Sequence, residues 1–232
     1  MRGRGAGPRD RELFAEERLP VLRSAVTDLS WLLTRGYSDR AALKLVGDRH
    51  ALTERQRMAV SRSACSDQAR ESRRAREVER VDGERVAIDG FNALIVVESA
   101  LSGGLVLIGR DGAHRDLASV HGTWRRVART DEAIEAMASV LAPAREVLVL
   151  LDRPVSNSGR LAARMRELVA AGGWPWQIEL VASPDRELAV SSEAIVGTGD
   201  ARILDACARW VDVPARVIAG LAEHAWVIDL SP

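Results

Sequence analysis

Beyond Asp82 and Gly83 the chain changes rhythm, and that change limits what it can fold into more than any other feature. Short apolar runs at Val86 to Ile88, Val147 to Leu151, Ile178 to Val181, Ala194 to Val196 and Ala225 to Ile228 are separated by segments of helical period near 130–141, 157–171 and 200–211. Runs of this length read as strands, and their alternation with helices is the pattern of a parallel sheet covered by helices. One insertion interrupts it: Leu105 to Gly109 and Ala113 to Leu117 flank Asp111 and Gly112, the signature of a tight β-hairpin. The expected class is α/β.

Upstream the pattern is helical throughout. Leu22, Val26, Leu29 and Leu33 step by three and four before Gly36, a second helix follows a Ser38 cap, and Thr53 with Gln56 forms a capping-box pattern for a third. Residues 67–80 hold almost no apolar side chain and five arginines, which predicts a solvated connecting helix. The expected organisation is therefore a flexible tail over 1–18, a helical module over 19–82 and an α/β domain over 83–232.

Charge separates the same two halves. Lys+Arg and Asp+Glu balance at 33 each, yet residues 1–85 carry 19 basic and 14 acidic side chains and the remainder the reverse. A basic module beside an acidic one suits a nucleic-acid-handling metal enzyme; a charge fluctuation explains it equally well. The apolar run from Ala93 to Ile108 is interrupted by Glu98 and two glycines and is too short to span a membrane. With no signal-peptide pattern near the start, the expected location is the cytoplasm. Cys65 and Cys207 have no metal-ligand spacing and read as buried free thiols.

Parallel sheets carry their functional groups at the carboxyl ends of the strands, and here those ends are acidic. The first strand runs into Asp89, Gly90, Phe91 and Asn92, the second into Asp152, the third reaches Asp185, and the fourth runs into Thr198, Gly199 and Asp200. Carboxylates crowded on one edge repel unless a cation sits among them, and Mg²⁺ or Mn²⁺ is the usual one. Asp89, Asp152, Asp185 and Asp200 are thus the expected metal ligands, with Asp89, Asp152 and Asp200 catalytic, and activated water at such a site suits phosphodiester hydrolysis. For any single aspartate, such as Asp200, capping the next helix is the competing role.

Around this edge lie candidate substrate contacts. Ser156, Asn157 and Ser158 precede a helix start and are flanked by Arg153, a setting for a phosphate or for an ordinary cap. Arg115 and His121, with Asp116 and Trp124 near them, form a second candidate patch. Arg55, Arg57 and Arg62 line a helix that reads either as a nucleic-acid-binding face or as a solvated one. Trp174 and Trp176 read as packing residues before base-stacking ones.

The string WLLTRGYSDRAALKLVGDRHALTERQRMAVSRSACS, with DGFN, GRDGAHRDL, HGTW and DRPVSNSGRL downstream, resembles the prokaryotic family labelled domain of unknown function 434 joined to a second region. Residues 84–230, with their acidic strand ends and the Thr198, Gly199, Asp200 turn, look like the PIN-like and NYN nuclease superfamily. That likeness implies a PIN-like fold and a metal-dependent ribonuclease, with Asp89 and Asp200 the principal ligands of Mg²⁺ or Mn²⁺, Asp152 and Asp185 supporting ones, and Asn92 hydrogen-bonding beside the metal. It implies RNA as partner; no membrane is expected, and a homodimer is allowed. A non-catalytic nucleic-acid or nucleotide binder and an enzyme of small phosphate-bearing substrates are the alternatives.

Overall fold

The computed structural model describes residues 4–117, 123–221 and 225–231. Helices come first: α1 (Asp10–Leu13), a 3-10 turn (Glu16–Arg18), α2 (Leu19–Thr34), α3 (Asp39–Arg49), α4 (Glu54–Ser63) and α5 (Asp67–Ala75). The chain then alternates: β1 (Arg85–Asp89), α6 (Gly90–Leu101), β2 (Leu105–Ile108), β3 (His114–Asp116), α7 (Thr130–Leu141), β4 (Glu146–Asp152) and α8 (Ser158–Gly172). It closes with β5 (Trp176–Val181), α9 (Pro184–Ala189), β6 (Ile195–Gly197), α10 (Ala201–Ala206), β7 (Trp210–Val211), α11 (Val213–Leu221) and β8 (Trp226–Asp229). Among the described residues no helix is long and apolar enough to cross a membrane.

The molecule is a mixed α/β protein with a helical N-terminal region. Its main sheet has five parallel strands in the order β5-β4-β1-β6-β7. Both faces are covered, and side-chain alternation assigns them. Val86, Ile88, Val147, Val149, Leu151 and Ile178 join one core with residues of α6, α7 and α8. Ala87, Leu150, Val181 and Val196 join a second core with Leu188, Ile203 and Leu204 of α9 and α10.

The hairpin forms as its sequence predicts, with Gly112 at φ +92° in the turn and β2 antiparallel to β3. It does not stand alone. β8 pairs in parallel with β2, making a separate three-stranded sheet, β3-β2-β8. Leu105, Leu107, Leu117, Ile228 and Leu230 pack there against Leu22, Val26, Leu29, Val46 and Val60 of the N-terminal helices. The last predicted strand thus exists but belongs to another sheet.

Other differences have local causes. The expected tail contains α1, whose Asp10 and the following Phe14 are buried, because Arg55 donates two hydrogen bonds to the Asp10 carboxylate, 2.8 and 3.0 Å. The segment after Asp67 is not wholly solvated, since Arg73 on α5 is buried against Asp111. The apolar run from Ala93 is the buried helix α6, followed by a turn and β2. The helix expected over 200–211 stops at Ala206, because Cys207 is extended and Trp210–Val211 pairs with β6.

Candidate active site

β1 lies between β4 and β6, and the chain leaves it in one direction towards β4 and β5 before returning to β6 and β7 on its other side. In an open α/β sheet such a reversal of strand order creates a crevice at the carboxyl ends, where ligands bind. Asp89 ends β1 on one side of this crevice, and the turn Thr198, Gly199 and Asp200 leaves β6 on the other.

The two sides are tied together by hydrogen bonds. Thr198 Oγ1 donates to Asp89 Oδ2, 3.3 Å, and accepts from the Asp200 backbone N–H, 3.0 Å. Asn92 Oδ1 accepts from the Gly199 N–H, 2.8 Å. Asp89 also caps α6 by accepting from the Asn92 N–H, and Asp200 caps α10 by accepting from Arg202 and Ile203. Gly90 is needed where α6 leaves β1: a Cβ there would lie 2.6 Å from Leu151 and 2.9 Å from the Leu150 carbonyl of the neighbouring strand.

The electrostatics follow from burial and like charge. Asp89 is only 7 % exposed. Burial pushes its carboxyl up to about 7, against the hydrogen bond from Asn92, and Asp200, Asp185 and Asp152 add to the rise by repulsion. Asp152, at the end of β4, is raised by burial and by Asp185. Asp185 sits exposed in the first turn of α9. The other three predicted aspartates are therefore electrostatic neighbours of Asp89, and among the described residues none of the four has an arginine or lysine ion-pair partner. Elsewhere the arginines are drawn into ion pairs with carboxylates, buried or exposed. As the side chains stand, no three His, Cys, Asp or Glu among the described residues are grouped tightly enough to hold a metal ion. The cap bonds turn Asp89 and Asp200 towards their own helix starts.

Other predicted contacts fare differently. Arg115 is buried and committed: its Nε donates to the Gly199 carbonyl, 2.7 Å, and its two terminal nitrogens to Asp111, 2.8 and 2.7 Å. It supports the turn, with these donors committed to Gly199 and Asp111. Arg153 is exposed and donates to the Leu180 carbonyl. Asn157, at φ +69°, donates from Nδ2 to the Trp124 carbonyl, and the buried Ser158 hydroxyl donates to the Arg153 carbonyl. Neither makes a side-chain cap; Ser156 is exposed. His121 lies outside the described residues. Arg55, Arg57 and Arg62 contact Asp10, Asp48 and Asp116, so the helix they line is held by internal pairs. Trp174 and Trp176 pack together with ring centres 5.7 Å apart. Cys65, buried, has its thiol pushed up to about 11 by burial and then by Asp111, and is inert.

Sequence reasoning missed the support of the turn. Asp111 receives Arg73 as well as Arg115, 2.6 Å, and Arg73 also donates to Asp205 and to the Ala201 carbonyl. Burial would raise Asp111, but the two guanidiniums outweigh it and hold the carboxyl down at about 2. A buried arginine on a helix with no apolar face leaves no mark in the periodicity; the only available signal was the cap at Ser66.

By architecture the protein is a helix-covered parallel sheet with an acidic crevice at the reversal of its strand order, walled by an N-terminal helical region. The chain belongs to the family described as Domain of unknown function (DUF5616), whose model matches residues 78–216. Residues 21–76 match Protein of unknown function (DUF434), as the N-terminal motifs led one to expect. The chain is similar to the uncharacterized protein MJ0935 of Methanocaldococcus jannaschii, 28% identical over 186 residues that cover 79% of this chain and 88% of that protein. No solved structure matches it.

Proposed function

We propose that this protein is a metal-dependent nuclease acting on RNA, with its site at the β1 and β6 strand ends. The carrying observation is that Asp200, Asp185 and Asp152 all bear on the buried Asp89 as like charges, and that none of the four has a cationic partner among the described residues of a chain whose arginines pair widely elsewhere. An all-oxygen donor set of this kind fits Mg²⁺ or Mn²⁺ and poorly fits softer metals. The likeness of residues 84–230 to PIN-like and NYN nucleases supports the same reading and supplies the preference for RNA.

Asp89 and Asp200 would be the principal ligands, with Asp152 and Asp185 supporting them. When bound, the ion lowers the pKa of a coordinated water and stabilises charge on a phosphoryl oxygen. The chain's own groups do the rest. Thr198 and Asn92 hold the two sides of the crevice in register, and Arg115 and Asp111 fix the backbone of the turn that carries Asp200. Near neutral pH Asp89 holds a proton part of the time, which a cation must displace. Binding would also draw Asp89 and Asp200 partly away from their caps, so the site assembles around its ion.

The test is cleavage of end-labelled single-stranded RNA with Mn²⁺, by wild type and by Asp89→Asn and Asp200→Asn. Asn keeps the shape and the cap but removes the charge, so cleavage should fall roughly a hundredfold or more while RNA binding persists. Wild-type protein that binds RNA yet cuts neither RNA nor DNA would replace this reading with that of a non-catalytic binder.

A further inference from the structure

A cavity of about 530 Å³ lies between the helical region and the β6–α10 turn. Its walls differ in kind. Leu29, Leu33 and Tyr37 form an apolar side contributed by α2 and the loop after it; Asn92, Asp200 and Arg202 form a polar side on the α/β sheet. Asn92 and Asp200 belong both to this cavity and to the acidic crevice, so the two open onto one another.

Four features mark the cavity as built to receive a group. Tyr37 is 56 % exposed, yet its position is set by the end of α2: Gly36 at φ +81° lets the Tyr37 N–H reach the Leu32 carbonyl, 3.2 Å, while the Gly36 N–H reaches Leu33, 3.0 Å. On the polar side, Asn92 has spent its Oδ1 on Gly199, which leaves the Nδ2 donor without a partner among the described residues. The exposed Arg202 guanidinium likewise has no hydrogen-bond or ion-pair partner there. The floor is rigid, because Arg73 and Arg115 lock the Ala201 and Gly199 carbonyls to Asp111.

We propose that this cavity seats one unstacked nucleoside of a single-stranded RNA, next to the phosphate presented to the aspartates. Its volume is in the range that encloses a ligand of that size. The exposed Tyr37 ring offers a stacking platform to the flat face of a base, the Asn92 amide a donor to its edge or its ribose, and Arg202 a cation for the adjoining phosphate. A paired base cannot enter, so single strands are selected over duplex. The proposal rests on the nuclease reading only for the choice of RNA as polymer; the seat itself requires no metal.

The experiment measures binding in EDTA, by anisotropy of a labelled single-stranded oligoribonucleotide, its duplex, and versions carrying one abasic residue at successive positions. Wild type should bind the single strand at least about tenfold more tightly than the duplex, and one abasic position should weaken binding by a similar factor. Tyr37→Ala should lose about tenfold in affinity and become insensitive to the abasic position, whereas Tyr37→Phe should retain both. Tyr37 is exposed, so the substitutions leave the fold in place, which circular dichroism verifies. Tyr37→Ala binding within twofold of wild type, or no binding of single-stranded RNA by wild type in EDTA, would overturn the seat. Tyr37-dependent binding without any Mn²⁺-dependent cleavage would sustain the seat and remove the nuclease reading alone.

Discussion

Asp89 couples the crevice to pH. Its carboxyl takes up a proton near pH 7 in the folded chain and near 4 when unfolded, so between those values the native state binds more protons. Stability from this group is therefore greatest at the acidic end of the window and declines as pH rises through about 7. In chelator, urea unfolding of wild type should show that decline, on the order of 2 to 4 kcal/mol, and Asp89→Asn should flatten it. Cleavage should run the other way, rising through about pH 7 as the ionised ligand becomes available; an activity that falls over that range would remove Asp89 as a ligand. The neighbouring Gly90 admits no side chain without moving Leu151 or the β4 backbone. Gly90→Ala should cost roughly 1–3 kcal/mol in the same unfolding measurement, by overpacking.

At the scale of elements, α5 is held by charge where its neighbours are held by apolar faces. Arg73→Ala leaves Asp111 with one guanidinium instead of two and strips the Ala201 carbonyl and Asp205 of their donor. Breaking a buried pair this way should destabilise by about 3–5 kcal/mol, read from denaturant midpoints. Arg73→Lys should not rescue it, because one ammonium cannot reach the three acceptors that the planar fork reaches. The same element shows what was legible beforehand. β1 and β4 were readable because central strands covered on both faces are largely apolar, and the acidic ends stood out against them. α5 was expected as a solvated helix from the charged, nearly apolar-free stretch over 67–80, but burial of Arg73 depends on Asp111, 38 positions away, which no local pattern announces. β7 hid inside a chance helical period through Ile203, Leu204, Cys207 and Val211. The strand-end aspartates could be picked out one by one, whereas the Arg115 lock beneath Gly199 required the hairpin to be folded against β6.

For the molecule as a whole, the two matched regions, 21–76 and 78–216, do not correspond to two independent bodies. Leu105, Leu107, Leu117, Ile228 and Leu230 share one core with the N-terminal helices, and Arg73 anchors those helices to the turn bearing Asp200. A fragment beginning at residue 81 should expose that apolar sheet face and self-associate, which light scattering would detect, and the intact chain should unfold in one transition by both circular dichroism and tryptophan fluorescence. Two separate transitions would show that the helical region is not integral.

The pairing of β8 with β2 also bears on how the chain is made. Arg23 on α2 donates to the carbonyl of Asp229, 206 positions further along. Helices synthesised early therefore wait for a strand synthesised late before their apolar side is fully covered. On the ribosome, such a nascent chain stays sticky for most of its elongation, and its maturation is governed by when β8 emerges and docks.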